Sequence, residues 1–172
     1  MTSPLTPERI LVAAEEVLRR HGPQKANVVD VARALGVSHG AVYRHFPSKQ
    51  ALREAVARRW LHQFHTTLEP IDDPRAWLHA LLDAKRAKAL EDPELFATYS
   101  ALCAEQSQVV DEHVATLIGQ LHALVGDDAT ALFHATTRFH HPAHAAAWAD
   151  TSIDAELDCV IDLVAPEQLD SE

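Results

Sequence analysis

A single glycine, Gly36, separates two short helical segments and so limits the folds that this chain can adopt. Apolar residues recur at helical spacing from Val28 to Leu35, and the pattern stops at Gly36. Glycine enters the left-handed conformation without a steric penalty and so ends a helix abruptly. Ser38 can cap the next helix after one intervening residue. Two helices joined so tightly must cross steeply, which predicts a helix-turn-helix.

The rest of the chain also carries helical patterns, and no alternating strand pattern interrupts them. Short polar side chains that can accept a hydrogen bond from a helix's first amides mark the starts, and Gly or Pro marks the stops. Predicted starts are Thr6, Asn27, Ser38, Ser48, Asp73, Asp92 and Thr151 or Ser152, and predicted stops are Gly22, Gly36, Pro47, Pro70, Gly126, Pro142 and Pro166. The fourth helix is long enough to connect two domains. We therefore predict an all-α fold.

Composition fits a globular protein rather than a membrane or secreted one. The 172 residues are 47% hydrophobic, and no apolar run approaches the roughly 18 residues of a membrane span. The first residues lack a signal-peptide pattern. Cys103 and Cys159 lie far apart within apolar helical patterns, so we expect buried thiols and a cytoplasmic protein.

Charge is distributed unevenly along the chain, although its net value is −10. Residues 1–60 contain ten Lys/Arg against five Asp/Glu, whereas residues 61–172 contain five against twenty. A basic first third is typical of a small domain that binds a polyanion.

The segment from Val37 to Lys49 has the chemistry of a DNA-reading helix. Val37, Val42 and Phe46 are expected to face the core, which leaves Ser38 to Ala41 and Tyr43 to His45 outside. The small Gly40 and Ala41 let the backbone approach DNA, His39 and Arg44 can bond bases or phosphates, and Tyr43, His45 and Lys49 can reach phosphates. The alternatives are that Tyr43 and His45 pack between helices, that Gly40 is a packing glycine and that Lys49 is merely solvated.

The motif extends over two stretches, which are ERILVAAEEVLRRHG (residues 8–22) and ANVVDVARALGVSHGAVYRHFPSKQAL (residues 26–52). Both stretches resemble the TetR family of bacterial transcriptional regulators. The shared pattern is a first helix that ends in glycine, then G-V-S-x-G-x-x-Y-x-H-F and a lysine-containing link to a long fourth helix. Asn27 departs from the family's usual threonine, but both residues cap helices.

The resemblance implies a helix-turn-helix DNA-binding domain at 1–48 and a helical ligand-binding and dimerisation domain at 49–172. It also implies a homodimer that represses transcription at a palindromic double-stranded DNA operator until a small effector releases it. The resemblance implies neither catalytic residues nor a cofactor. The resemblance implies DNA contacts at Asn27, His39, Tyr43, His45 and Lys49, and also at Ser38 and Arg44. Gly40 joins these candidates because its missing side chain lets the backbone approach DNA. Apolar helices near 128–141 and 151–165 could pair in the dimer.

Candidate pocket residues lie on consecutive core-facing helices, although plain core packing is the favoured explanation for most of them. They are Trp77, Leu81, Phe96, Tyr99, Cys103, His113 and Leu117. The pattern shows no strong buried charge, which favours an apolar ligand.

Twelve histidines, several of them between His134 and His144, suggest a metal site at first sight. Pro142 breaks the helical phase between His140 and His144, so we expect surface and interface histidines and no metal. Two alternative functions remain: a histidine-rich metal-binding sensor or enzyme, and a helical protein-interaction module with a basic head.

Overall fold

The computed structural model describes residues 4–164, and this part of the chain is all-helical, as predicted. The α-helices in chain order are α1 (Pro7–Lys25), α2 (Val28–Leu35), α3 (His39–Tyr43), α4 (Lys49–Leu68), α5 (Pro74–Glu91), α6 (Pro93–Ala104), α7 (Gln108–Val125), α8 (Ala129–Ala135) and α9 (Ile153–Val164). Short 3-10 helices occupy Gly126–Asp128, Thr137–Phe139 and Pro142–Ala149. Between residues 4 and 164, every helix is too short or too polar to span a lipid bilayer. Pro166, the predicted stop of the last helix, lies outside the described residues.

Most predicted helix starts are confirmed by their hydrogen bonds. The hydroxyl of Thr6 accepts a bond from the amide of Arg9 at 3.3 Å, and the carboxylate of Asp73 accepts one from the amide of Ala76 at 2.6 Å. Asp92 precedes α6 as predicted, but its side chain makes no capping bond. A partner elsewhere in the fold takes its carboxylate.

The end of α1 is a kink rather than a clean stop. Gly22 has φ 73° and ψ 164°, a conformation open to glycine alone, and one further turn follows it before Ala26. The break therefore lies where the sequence predicted it, but the chain resumes a helical turn through Pro23.

The long helix predicted near residues 128–141 is wrong. α8 ends at Ala135, and the amide of Phe139 bonds the carbonyl of Thr136 at 2.9 Å in the tighter 3-10 pattern that follows. The hydroxyl of Thr136 is buried and bonds the carbonyls of Leu132 and Phe133 at 2.9 and 3.1 Å. Pro142 then begins the 3-10 helix that leads to α9.

Backbone contacts divide the chain into two compact units. The first unit contains Met1–Leu61 and Asp92–Val109, and the second contains His62–Glu91 and Val110–Glu172. α4 and α7 contribute residues to both units. The predicted functional boundary between residues 48 and 49 stays a prediction, because compactness does not identify the residues that bind DNA or ligand.

The first unit packs the three N-terminal helices, the first part of α4 and α6 around one apolar core. α1 contacts both α2 and α6. Its buried core includes Ile10, Val17, Val28, Val31, Val42, Leu52, Val56, Trp60, Leu95, Tyr99 and Leu102.

The second unit has its own core, in which α5 contacts α9 and α8 contacts α9. Its buried residues include Phe64, Leu68, Trp77, Leu81, Leu117, Leu121, Leu132, Phe139, Trp148, Ile153, Leu157 and Ile161. Each unit thus has a core of its own.

Candidate nucleic-acid interface

The turn between α2 and α3 has the geometry that the sequence predicted. Gly36 is left-handed, with φ 67° and ψ 31°. The amide of Gly36 donates a hydrogen bond to the carbonyl oxygen of Arg33 at 3.2 Å, and the amide of Val37 donates one to the carbonyl oxygen of Ala32 at 3.0 Å. These bonds satisfy the carbonyls at the end of α2 and redirect the chain within two residues.

α3 is short and held from both ends. The hydroxyl of Ser38 accepts a bond from the amide of Ala41 at 3.3 Å, which caps its first turn. Val42 is fully buried, and its carbonyl accepts a bond from the amide of Phe46 at 3.0 Å. The core thereby fixes which side of α3 faces solvent.

All eight predicted DNA-contacting residues are exposed. They are Asn27, Ser38, His39, Gly40, Tyr43, Arg44, His45 and Lys49. The side chain of Tyr43 is 42% exposed, and its ring meets the ring of His39 edge-on with centroids 6.3 Å apart. The exposure of Tyr43 and His45 disfavours the alternative that they pack between helices.

Ala41 departs from the prediction, because it is buried rather than on the outer face. It directly precedes Val42, and the two small apolar side chains share the inner side of α3. The close approach to DNA expected of this helix therefore depends on Gly40, in front of whose missing Cβ only the hydroxyl of Ser38 lies, at 4.0 Å.

Two further helix starts flank α3. The side chain of Asn27 accepts a bond from the amide of Asp30 at 3.0 Å, and the hydroxyl of Ser48 accepts one from the amide of Ala51 at 3.0 Å. These caps fix the first turns of α2 and α4, so Asn27 and Lys49 are presented by ordered backbone.

Several basic side chains of the first sixty residues form ion pairs within the first unit. Arg19 pairs with Asp92, Arg53 with Glu105, and Arg59 with Glu15 at 2.9 Å. Adding the acidic residues of 92–109 leaves the first unit with ten basic and eight acidic residues. The charge count along the sequence therefore overstated the positive charge of this unit.

The candidate pocket residues do not belong to one unit. Phe96, Tyr99 and Cys103 fall in the first unit, whereas Trp77, Leu81, His113 and Leu117 fall in the second. All of them are buried except Cys103, which is half-buried. The expectation of two buried thiols is also wrong, because Cys159 on α9 is exposed.

Sequence reasoning missed Lys85 of the second unit. Its side chain is 1% exposed, and its Nζ atom lies 2.9 Å from the Nε2 atom of His113. The absence of buried charge, on which the expectation of an apolar ligand rested, is therefore wrong. The spacing contained a signal, because Lys85 follows Trp77 and Leu81 on the same face of α5.

The metal candidates do not share a site. His140 is buried, its Nε2 atom lies 3.0 Å from the carbonyl oxygen of Phe133, and burial lowers its pKa to about 4. His144 is exposed on the 3-10 helix that follows. In the part of the chain that the structure describes, no group of three His, Cys, Asp or Glu side chains could hold a metal ion.

Family models match most of the chain. The model described as bacterial regulatory proteins, tetR family, matches residues 10–56, which include the whole turn and α3. The model described as Tetracyclin repressor-like, C-terminal domain, matches residues 72–128 and 126–161. The two matches leave the fourth helix's second half between them.

Curated relatives are similar over the N-terminal part. The regulator SrpR of Pseudomonas putida is 36% identical over 83 residues, 46% of this chain and 39% of that protein. The uncharacterised regulator Rv1255c of Mycobacterium tuberculosis is 38% identical over 55 residues, 32% of this chain and 27% of its own length. The chain thus matches well under two thirds of these relatives.

Solved structures share the fold over nearly the whole chain. A tetR-family regulator from Streptomyces coelicolor aligns with TM-score 0.71 and 18% identity, over 94% of this chain and 85% of that one. TetR from Acinetobacter baumannii in complex with minocycline aligns with TM-score 0.70 and 20% identity, over 98% and 97%. BioQ with its double-stranded DNA operator aligns with TM-score 0.65 and 23% identity, over 95% and 100%.

The sequence motif, the exposed face of α3 and the two family models agree. The chain belongs to the TetR family of bacterial helix-turn-helix transcriptional regulators, which is not a family of enzymes.

Proposed function

We propose that this protein is a homodimeric repressor that binds a palindromic DNA operator through α3 and is released by a small effector. The observation that carries the proposal is the exposed polar face of α3, from Ser38 to His45, on a helix whose other side is anchored by Val42. In a helix-turn-helix protein the second helix enters the major groove.

Each exposed side chain has a role in this proposal. His39 and Arg44 read base edges, and Gly40 lets the backbone come close. Tyr43, His45 and Lys49 bind phosphates, as do Asn27 and Ser38 at their helix starts. The structural neighbour BioQ, described with its double-stranded DNA operator, supports DNA as the partner.

The proposed dimer interface is the face of the second unit formed by α8, the 3-10 helix Thr137–Phe139 and α9. An open and mostly apolar groove runs along it, lined by Ala135, Arg138, Phe139, Ser152, Ala155, Glu156, Cys159 and Val160. Leu163 at the end of α9 is 81% exposed. A two-fold dimer would place two α3 helices on half-sites about one DNA turn apart, roughly 34 Å.

The effector is proposed to bind the second unit. Residues 72–161 match a Tetracyclin repressor-like C-terminal domain, and the structural neighbour from A. baumannii is described in complex with minocycline. Effector binding is proposed to lower the affinity of the protein for DNA and so to release it from the operator.

Binding to DNA from the gene's own upstream region tests the proposal. Wild-type protein should shift this fragment in a salt-sensitive manner, and unrelated DNA of equal length should compete poorly. Tyr43→Ala combined with Lys49→Ala should weaken binding at least tenfold, because two proposed phosphate contacts are lost.

The matched control is Lys88→Ala, which removes one positive charge from α5 and leaves the proposed interface intact. This variant should bind like wild type. Equal binding by the double variant and the wild type, or binding that ignores sequence, would contradict the proposed interface.

A further inference from the structure

Three basic side chains form a hydrogen-bonded chain inside the second unit. The Nζ atom of Lys85 on α5 lies 2.9 Å from the Nε2 atom of His113 on α7. The Nδ1 atom of His113 lies 2.8 Å from the Nε2 atom of His65 on α4, and the two rings stack with centroids 5.0 Å apart. We name Lys85, His113 and His65 the basic relay.

The chemistry of the groups fixes the direction of these bonds. A lysine ammonium can only donate, so the Nε2 atom of His113 accepts and its proton lies on Nδ1. That N–H then donates to His65. Burial, followed by the charges of Lys85, His65 and His140, lowers the pKa of His113 well below its usual range, so this ring is neutral.

The relay reaches from the surface into the core. His65 is half-buried at its outer end, whereas Lys85 is 1% and His113 is 2% exposed. Burial, then the charges of His62 and Lys85, lower the pKa of His65, and Glu69 partly offsets them. Because His65 is the solvent-accessible end, a dissolved ligand can contact the relay there.

Apolar side chains surround much of the relay. The ammonium of Lys85 lies 4.5 Å from the ring centre of Phe64, and the relay-bearing faces of α5 and α7 carry Trp77, Leu81, Leu117 and Leu121, each at most 1% exposed. Buried bases cost free energy that an all-apolar core would avoid. A few polar groups in an apolar shell are the composition of a small-molecule site.

We propose that the basic relay recognises the carboxylate of an acidic effector with an apolar body. The carboxylate accepts a charge-assisted bond from Lys85 and an N–H bond from a relay imidazole, while the apolar body packs against the leucines. The ligand enters at His65 and replaces the contact between His65 and His113. This inference rests on the proposed function only in placing an effector site in the second unit.

Thermal-shift and calorimetric titrations without DNA test the inference. The probes are octanoate and 2-naphthoate, each compared with its neutral analogue, octan-1-ol and 2-naphthol, at pH 7. Wild type should bind at least one carboxylate about tenfold or more tightly than its neutral analogue. Lys85→Met, which keeps an unbranched apolar stem, should lose that preference.

Lys88→Met on the same helix is the matched control and should keep the wild-type preference. His65→Gln is the second variant in case Lys85→Met does not fold, and it should weaken the carboxylate preference while leaving binding of the neutral probes unchanged. Equal binding of acid and neutral analogue by wild type, or no binding of either acid, overturns the inference. Because DNA is absent, neither result bears on operator binding.

Discussion

Arg19 on α1 and Asp92 before α6 form a two-armed ion pair within the first unit. The Nε atom of Arg19 lies 3.1 Å from Oδ1 of Asp92, and its Nη2 atom lies 2.9 Å from Oδ2. The side chain of Asp92 is only 12% exposed, compared with 45% for that of Arg19. This pair explains why Asp92 does not cap α6: its carboxylate is committed to α1.

Asp92→Asn should lower the free energy of unfolding by about 1–2 kcal/mol, because the substitution removes the charge from a half-buried bidentate pair. Arg19→Lys should cost a similar amount, since an ammonium cannot form both arms. Urea denaturation measures both. In the control Asp30→Asn, the partner Arg33 is largely exposed, and the cost should stay under about 0.5 kcal/mol. Equal costs for Asp92→Asn and Asp30→Asn would contradict the assigned role of the pair.

Gly22→Ala should destabilise the protein more than Gly36→Ala. Both glycines have positive φ, but Gly22 at φ 73° and ψ 164° lies in a region open to glycine alone, and an added Cβ would meet Oε2 of Glu94 at 2.9 Å. Gly36 is ordinary left-handed backbone with nothing within 4 Å of a Cβ. The expected costs are about 2–3 kcal/mol at Gly22 and about 1 kcal/mol at Gly36.

Glu94→Ala in the Gly22→Ala background separates the two causes at Gly22. It should recover the part of the loss that comes from the collision and leave the backbone part. Chemical denaturation of the four variants gives the coupling energy, and a coupling of zero would show that Glu94 moves aside without cost.

Stability should fall as pH drops below about 6.5. Burial lowers the folded-state pKa of His65, of His113 and of His140, the last to about 4. Because each folded pKa lies below the unfolded value near 6.5, the unfolded chain binds more protons in this window. The stabilisation is therefore complete above about pH 6.5 and lost on acidification, with about 3 kcal/mol from His140 alone by pH 4.

His140→Gln, which can still donate to the carbonyl of Phe133, should flatten the fall of stability between pH 6.5 and 4. Exposed His144→Gln is the control and should leave the curve unchanged. Thermal melts across this range decide the matter, and parallel curves for wild type and His140→Gln would disprove the assignment.

Ser38→Asp should separate capping from DNA binding. Aspartate caps helices as well as serine, so the free energy of unfolding should change by less than about 0.5 kcal/mol, whereas Ser38→Ala should lose about 1 kcal/mol. Next to DNA phosphates the added charge is repelled, so Ser38→Asp should weaken operator binding at least tenfold. Retained operator affinity in Ser38→Asp would place Ser38 outside the interface.

The helix ends in the first sixty residues could be predicted from the sequence because they depend on local interactions. Gly36, Ser38 and Asn27 act on their immediate neighbours through φ or a single cap bond, so their roles did not depend on the rest of the fold. The buried Val42 followed from helical spacing in the same way. Ala41 was misplaced because a five-residue helix is too short for periodicity to decide which adjacent residue turns inward.

The second unit shows where local patterns stop being sufficient. The helical pattern through residues 128–141 was real, but α8 ends at Ala135 and a 3-10 helix follows the buried Thr136. No prediction concerned Lys85, and only the packing of α4, α5 and α7 placed it beside His113 and Phe64.

Bonds between residues a few positions apart set the helix boundaries around the proposed DNA-reading segment and the turn, so these features and the family could be predicted from the sequence. The ion pair of Asp92 with Arg19 and the meeting of three bases among apolar side chains depend instead on tertiary packing. Those partners are 73 residues apart for Arg19 and Asp92, and 28 for Lys85 and His113. Contacts over such distances depend on how whole helices pack, which no local pattern encodes.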